Sequence, residues 1–242
     1  MGESARGVEG TLDELGPELL GEIMALLAHD LRNPLAALSS NVGYLGLVGG
    51  LSGELREALF DLQLSVEALA RVSDSLETVS QELRHSPAPP TSQVSCASLV
   101  AGLLPGVERA AQSYGVRLVV ELGSERKLLV AETSFARALS NLLHNAVSLA
   151  PEKSEVRLVS YDQGAHVVFR VEDRAATIEQ GEADLAFSAR GQLELKSKLS
   201  GRYTRGLGLY VVARSAHRAG AEVRVAERAE GSALELVAPA AS

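Results

Sequence analysis

The sequence predicts two units in series: a helical hairpin that pairs with a second copy into a four-helix bundle, followed by an α+β sandwich with a largely antiparallel sheet. Three observations carry this. Two long apolar stripes at helical spacing are separated by a glycine cluster; a short proline-rich run follows; and beyond it helical segments mix with short alternating strands. With 242 residues, 46% of them hydrophobic, the chain can bury a sizeable core. Its net charge of −8 is spread without a basic block, which argues against nucleic acid as a partner and against an anionic membrane surface. Cys96 is the only cysteine, so no intrachain disulfide can form and a reducing compartment is expected.

Residues 1–15 form an N-terminal segment with acidic residues and glycines where a signal peptide would carry a basic start and an apolar run, so a cytoplasmic location is expected. Residues 16–85 make the hairpin. Leu20, Ile23, Leu27, Leu31, Leu35, Leu38, Val42 and Leu45 recur in steps of three or four, and after glycines at 46, 49, 50 and 53 a second stripe runs through Leu55, Leu59, Leu62, Val66, Leu69, Val72, Leu76, Val79 and Leu83. Two such helices bury too little alone, and stripes sustained over four or more turns imply a homodimeric four-helix bundle. The stretch 33–53 is uncharged, but Pro34, serines and five glycines make it a helix end and a turn rather than a membrane insertion.

Residues 86–93, SPAPPTSQ, hold three prolines and read as a stiff linker. Residues 94–242 then alternate between element types. Ala97–Tyr114 and Ser134–Leu149 are predicted helical and Val116–Glu121 extended. Glu155–Tyr161 and His166–Glu172 form strands across an Asp162-Gln163-Gly164 turn, and Glu222–Ala226 and Ala233–Val237 flank a final turn. No sensor domain is recognisable, so input is expected from a separate sensor protein or from sequence beyond this stretch.

Four local patterns carry chemistry. In HDLRNPL, at 100° per residue, His29 lies about 200° and Asn33 about 240° round from Leu27, placing both on the flank away from the apolar stripe. Pro34 removes the hydrogen bond to the Asp30 carbonyl and predicts a kink just past the histidine, at roughly 3 kcal/mol in an ordinary helix interior. A neutral imidazole there can attack a phosphoryl group while Asp30 holds the other ring N–H. A solvated helix face with a chance histidine is the competing reading. In NLLHNA, Asn141 and Asn145 stand at i and i+4, where amide oxygens can face a hydrated Mg²⁺; a polar surface pair is the alternative. Val171-Glu172-Asp173 ends an alternating strand on a carboxylate. Gly206-Leu207-Gly208-Leu209 opens a helix whose backbone N–H groups can approach an anion.

In this order the four patterns resemble the core of two-component sensor histidine kinases over roughly residues 16–238. HDLRNPL is similar to that family's H box, NLLHNA to its N box, Val171–Asp173 to the start of its G1 box and RGLGLYVV to its G2 box. The resemblance implies a dimerisation and phosphoacceptor hairpin joined to an ATP-binding domain of the GHKL, or Bergerat, fold. It implies His29 as the phosphorylated residue, Asp30 as its acid/base partner and Asn33 as the residue orienting water in dephosphorylation. Asn141 and Asn145 would face Mg²⁺ and phosphate, Asp173 would receive the adenine amino group, and Arg205, Gly206 and Gly208 would line the phosphates of ATP. The implied partner is the receiver domain of a response regulator.

The sequence also departs from the family. Ala175 and Thr177 stand where glycines follow the G1 aspartate, Thr204 and Arg205 replace the start of the G2 loop, and Ser148 replaces a common lysine. Where a left-handed backbone is needed, a non-glycine residue costs roughly 1–2 kcal/mol, so an adenine loop of different shape and weakened ATP use are expected, with Arg205, Lys196 or Lys198 as replacement cations. The alternatives to an ATP-dependent autokinase are a histidine phosphotransfer protein and a pseudokinase or scaffold that binds a response regulator or another kinase.

Overall fold

The computed structural model describes residues 17–47, 52–175, 186–188, 208–228 and 230–241. Helix α1 spans Pro17–Leu47 and continues through Pro34; helix α2 spans Gly53–Leu83, its first turn capped by Ser52, whose hydroxyl accepts from the Leu55 N–H at 3.3 Å. The two pack antiparallel along a seven-residue step. The Ser73 hydroxyl donates to the Ala28 carbonyl at 2.9 Å and the Ser80 hydroxyl to the Gly21 carbonyl at 2.7 Å, and the same step continues through buried Leu35 and Val42 on α1 and buried Val66 on α2. Arg32, pairing with Glu77 at 2.5 Å, ties the helices from outside.

The continuous stripe expected from the sequence is therefore divided. Positions 28, 35 and 42 face the second helix, whereas Leu20, Leu27, Leu31, Leu38 and Leu45 stay exposed, as do Leu55, Leu62 and Leu69 on α2. Small residues, not the leucines, close the hairpin near its N-terminus, because a serine hydroxyl can reach a helix carbonyl only where the backbones approach closely.

The second unit is an α/β sandwich. Strand β1 (Ser92–Ser95) pairs antiparallel with β3 (Lys127–Val130), and a five-stranded sheet is ordered β2–β4–β5–β7–β6, from β2 (Arg117–Leu122), β4 (Glu155–Gln163), β5 (His166–Asp173), β7 (Ser232–Pro239) and β6 (Glu222–Val225). Among the described strands only β2–β4 is parallel. Helices α3 (Cys96–Ser113), α4 (Glu132–Leu149) and α5 (Gly208–Ala219) contribute to one core with the sheet. Strand β1 begins inside the run read as a linker, and neither β1 nor β3 is among the strands that the sequence predicts.

Val167, Phe169 and Val171 point from β5 into that core, with Phe169 edge-on to Phe135 of α4 at a centroid distance of 5.5 Å. On the opposite face buried Glu235 accepts from Tyr161 at 2.8 Å, Arg170 at 3.2 Å and Arg224 at 2.7 Å, which satisfies its charge. Among the described residues no helix is long and apolar enough to cross a membrane.

The small layers make a test. Ala28→Leu should force α1 from α2, break the Ser73 bond and destabilise the chain by about 1–3 kcal/mol, read as a lower Tm, whereas Leu45→Ala should leave the hairpin's own contacts intact.

Candidate functional site

His29, Asp30 and Asn33 are all exposed on α1, and His29 Nδ1 lies 3.4 Å from Asp30 Oδ1. With Nδ1–H directed at the carboxylate, Nε2 is left as the nucleophilic nitrogen.

Asp173 owes its place to strand phase. It continues the inward alternation of Val167, Phe169 and Val171, so the strand delivers a carboxylate where the core expects an apolar side chain, at 6% exposure. Burial pushes its carboxyl up to about 6, opposed by the Ala175 N–H, which donates to Oδ1 at 2.6 Å, and by the charge of Arg228. The turn after β5 is thus closed by Ala175, which is not among the left-handed residues; other than glycine, these are His85 and Lys153 among the described residues. Thr177, Lys196, Lys198, Thr204, Arg205 and Gly206 lie outside the described residues.

Asn141 and Asn145 project from α4. The Asn141 amide N–H donates to the Arg137 carbonyl at 2.9 Å, leaving its oxygen as the atom suited to a cation. The Asn145 amide lies flat on Gly208 at the start of α5: a Cβ there would fall 2.7 Å from both amide heteroatoms, so only glycine admits this contact. The amides and Gly208 line a cleft of ≈ 650 Å³ between the hairpin and the sandwich. Asn145 also lines a second, narrow cavity of ≈ 30 Å³ with Leu142, Val171, Asp173, Ala175, Leu209 and Ser232. Asn145 therefore belongs to both spaces and joins Asp173 to Asn141 and Gly208; His29, Asp30 and Asn33 line neither.

Sequence reasoning missed three contributors. Gly231, at φ +82°, presses on the end of β5 so closely that a Cβ would meet the Asp173 carbonyl at 2.1 Å. Arg228 donates to that carbonyl at 2.6 Å. His144 faces the cleft, its imidazole held neutral down to about 4 by burial and by the charges of Arg71 and Arg109. A glycine before β7 was the only local signal for Gly231, and none existed for the other two.

The amide oxygens, the buried carboxylate and the side-chain-free wall at Gly208 form a donor set that fits Mg-ATP. The cavity beside Asp173 has room for about one water, so α5 and the Ala175 turn must part to admit a purine.

The family model described as "Histidine kinase-, DNA gyrase B-, and HSP90-like ATPase" matches residues 130–242. Aerobic respiration control sensor protein ArcB of Escherichia coli strain K12 is 26% identical over 222 residues, 90% of this chain and 28% of its own length. Signal transduction histidine-protein kinase AtoS of the same strain is 28% identical over 228 residues, 91% of this chain and 35% of its own length. The chain thus spans about a third of the length of these two relatives. In fold it matches full-length ShkA, crystallised in complex with AMPPNP, with a TM-score of 0.58 at 22% identity, over 92% of this chain and 46% of that one. Residues 130–242 match that ATPase family, and over some 90% of its length the chain is similar to sensor histidine kinases.

Proposed function

We propose that this chain is an ATP-dependent histidine kinase of a two-component system that phosphorylates His29 and passes the phosphoryl group to an aspartate of a response-regulator receiver domain. The observation that carries the reading is the position of Asn145, shared between the Asp173 cavity and the Asn141–Gly208 cleft. Those two spaces are adjacent, as the base and the phosphates of one nucleotide require. In this reading the hairpin is the dimerisation and phosphoacceptor unit and the remainder the ATP-binding domain.

The roles follow from chemistry. Asp173, ionised above about pH 6, accepts from the adenine amino group. The amide oxygens of Asn141 and Asn145 hold Mg²⁺, which supplies charge neutralisation at the phosphates. Gly208 keeps its wall free of side chains. At His29 the imidazole Nε2 forms the bond to phosphorus as the bond to the leaving ADP oxygen breaks, and Asp30 steadies the cation that results. Asn33, one turn further along the same exposed flank, orients water for dephosphorylation. The exposed stripes Leu20, Leu27, Leu31, Leu38, Leu45 and Leu55, Leu62, Leu69 form the homodimer seam. A second reading, a phosphotransfer or scaffold module without productive ATP use, is supported by the narrowness of the Asp173 cavity.

The deciding experiment is incubation with γ-labelled ATP and Mg²⁺. Acid-labile, alkali-stable label is expected on the wild type and none on His29→Ala; an unlabelled wild type that is folded and dimeric sinks the kinase reading and leaves the second one. Replacing Leu31, Leu38 and Leu45 together by Asn should convert the dimer to a monomer in light scattering while the hairpin retains its helicity; an unchanged mass defeats the assignment of the seam.

Asp173 adds a pH test. A carboxyl raised from 3.8 to about 6 favours the folded state below about 4 and loses that contribution as pH rises through about 6. Asp173→Asn should therefore raise stability by roughly 1–3 kcal/mol at pH 8, with the gain disappearing near pH 4, while abolishing the label on His29. A pH-independent change in Tm would refute the buried-charge account.

A further inference from the structure

Arg228 stands in the turn between β6 and β7 and reaches back over the end of β5. Its Nη1 donates to the Asp173 carbonyl at 2.6 Å and to the Ser232 carbonyl at 3.4 Å, and its Nη2 lies 3.6 Å from Glu172 Oε2. Asp173 and Ser232 are the last partners of the β5–β7 ladder, so one guanidinium spans the final rung and ties the two strand ends together. A planar fork meets two carbonyls and a carboxylate at fixed angles, which the point charge of a lysine does not.

The arginine is itself held in place. Arg170 donates from Nε to Glu172 Oε1 at 2.7 Å and from Nη1 to buried Glu235 at 3.2 Å, and its Nη2 binds the Glu227 carbonyl at 2.9 Å, one residue before Arg228. The charge cluster on the outer face of the sheet therefore grips both the backbone and the carboxylate that orient the Arg228 side chain. From the other arm of the turn, Gly231 lies against the same Asp173 carbonyl. Both arms converge on the residue whose carboxylate lines the narrow cavity.

The surroundings of that carboxylate hold little charge. To the cavity α4 presents Leu142, Asn145 and Ala146, β7 presents Ser232 and Leu234, and α5 presents Leu209, none of which titrates. The chain neighbours turn elsewhere, Glu172 to the outer face and Arg174 to solvent. Among the described residues Arg228 supplies the charge that opposes burial at the Asp173 carboxyl, beside the neutral N–H of Ala175. Arg228 lines neither cavity, so it acts on the site through Asp173 alone.

We infer that Arg228 is a positioning residue for the base-binding carboxylate: by tying the Asp173 carbonyl to the end of β7 it aims the carboxylate into the narrow cavity and keeps it there as a hydrogen-bond acceptor. Its effect on ATP rests on the kinase reading; its hold on Asp173 does not. An adenine amino group donates, so a carboxyl that takes up a proton loses the lone pair the amino group needs. Without the arginine, that loss begins at higher pH.

The test compares the full chain with Arg228→Gln and Arg228→Lys, by calorimetric titration with ATP and by thermal melts, between about pH 4 and about pH 8. Arg228→Gln should raise the midpoint of ATP affinity against pH by about one unit, so that the loss grows to about tenfold as pH falls below the wild-type midpoint. Arg228→Lys, which retains the charge, should keep the midpoint. The melts need no nucleotide. Arg228→Gln should lower Tm further at about pH 8, where Asp173 is ionised, than at about pH 4, and the excess that depends on Asp173 should vanish in the Asp173→Asn background. An equal loss of Tm at both pH values, an excess that survives intact in Asp173→Asn, or an unmoved ATP midpoint in folded Arg228→Gln overturns the assignment. Should Arg228→Gln not fold, an upward shift in Arg228→Lys overturns it as well. A wild type that binds no ATP, with the Asp173-dependent excess present, supports the hold of Arg228 on Asp173 and instead removes the kinase reading.

Discussion

Helix α2 must satisfy three surfaces at once, and the placement of both functional regions depends on its doing so. One face, at Val66, Ser73 and Ser80, packs on α1; a second, at Leu55, Leu62 and Leu69, is exposed and apolar; a third carries Glu67, Asp74 and Glu82 to the arginines of the sandwich. Each exposed ion pair contributes only about 0–1 kcal/mol, so their role is geometric more than energetic. Burial raises the carboxyl of Asp74 against the opposing charge of Arg137, a sign that the contact removes water from its acids as well as pairing them.

Within the sandwich the decisive constraint is the two-residue period of β5. An alternation that buries Val167, Phe169 and Val171 has to bury the next residue of that phase too, and that residue is Asp173. The sheet thus pays for a charged group inside with a hydrogen bond from Ala175 and a nearby arginine. Gly231 then becomes indispensable, since the neighbouring turn lies against the Asp173 carbonyl with no room for a side chain. At Gly208 the close neighbour is a side-chain amide, that of Asn145, which can turn aside, so glycine there preserves a contact and not the path of the backbone.

Much of this was legible from the sequence, for reasons that can be named. The helices and the longer strands follow from periodicity, and the inward direction of Asp173 follows from counting along an alternating strand. What periodicity cannot resolve is which part of a broad apolar stripe meets the neighbouring helix. Leu27 and Ala28 are adjacent in sequence, yet Leu27 is exposed and Ala28 fully buried, because serine-to-carbonyl bonds select the small residue for the close approach. The arginine pairs joining α2 to the sandwich were equally invisible, since Arg109 and Glu67 stand 42 residues apart and no local pattern marks them as partners. Strands β1 and β3 pair with each other across the whole of α3 and β2, and the cleft, likewise formed between elements distant in sequence, left no local signature.

The Gly21–Ser80 and Ala28–Ser73 layers have a mechanical consequence. Toward the loop the buried residues are the branched Leu35, Val42 and Val66, whereas beside His29 they are small, with the Ser73 and Ser80 hydroxyls bonded to the Ala28 and Gly21 carbonyls and Arg32 latched to Glu77 across the helices. The hairpin is therefore a wedge, its helices drawn closest beside the turn that carries the histidine and spaced by bulkier side chains toward its other end.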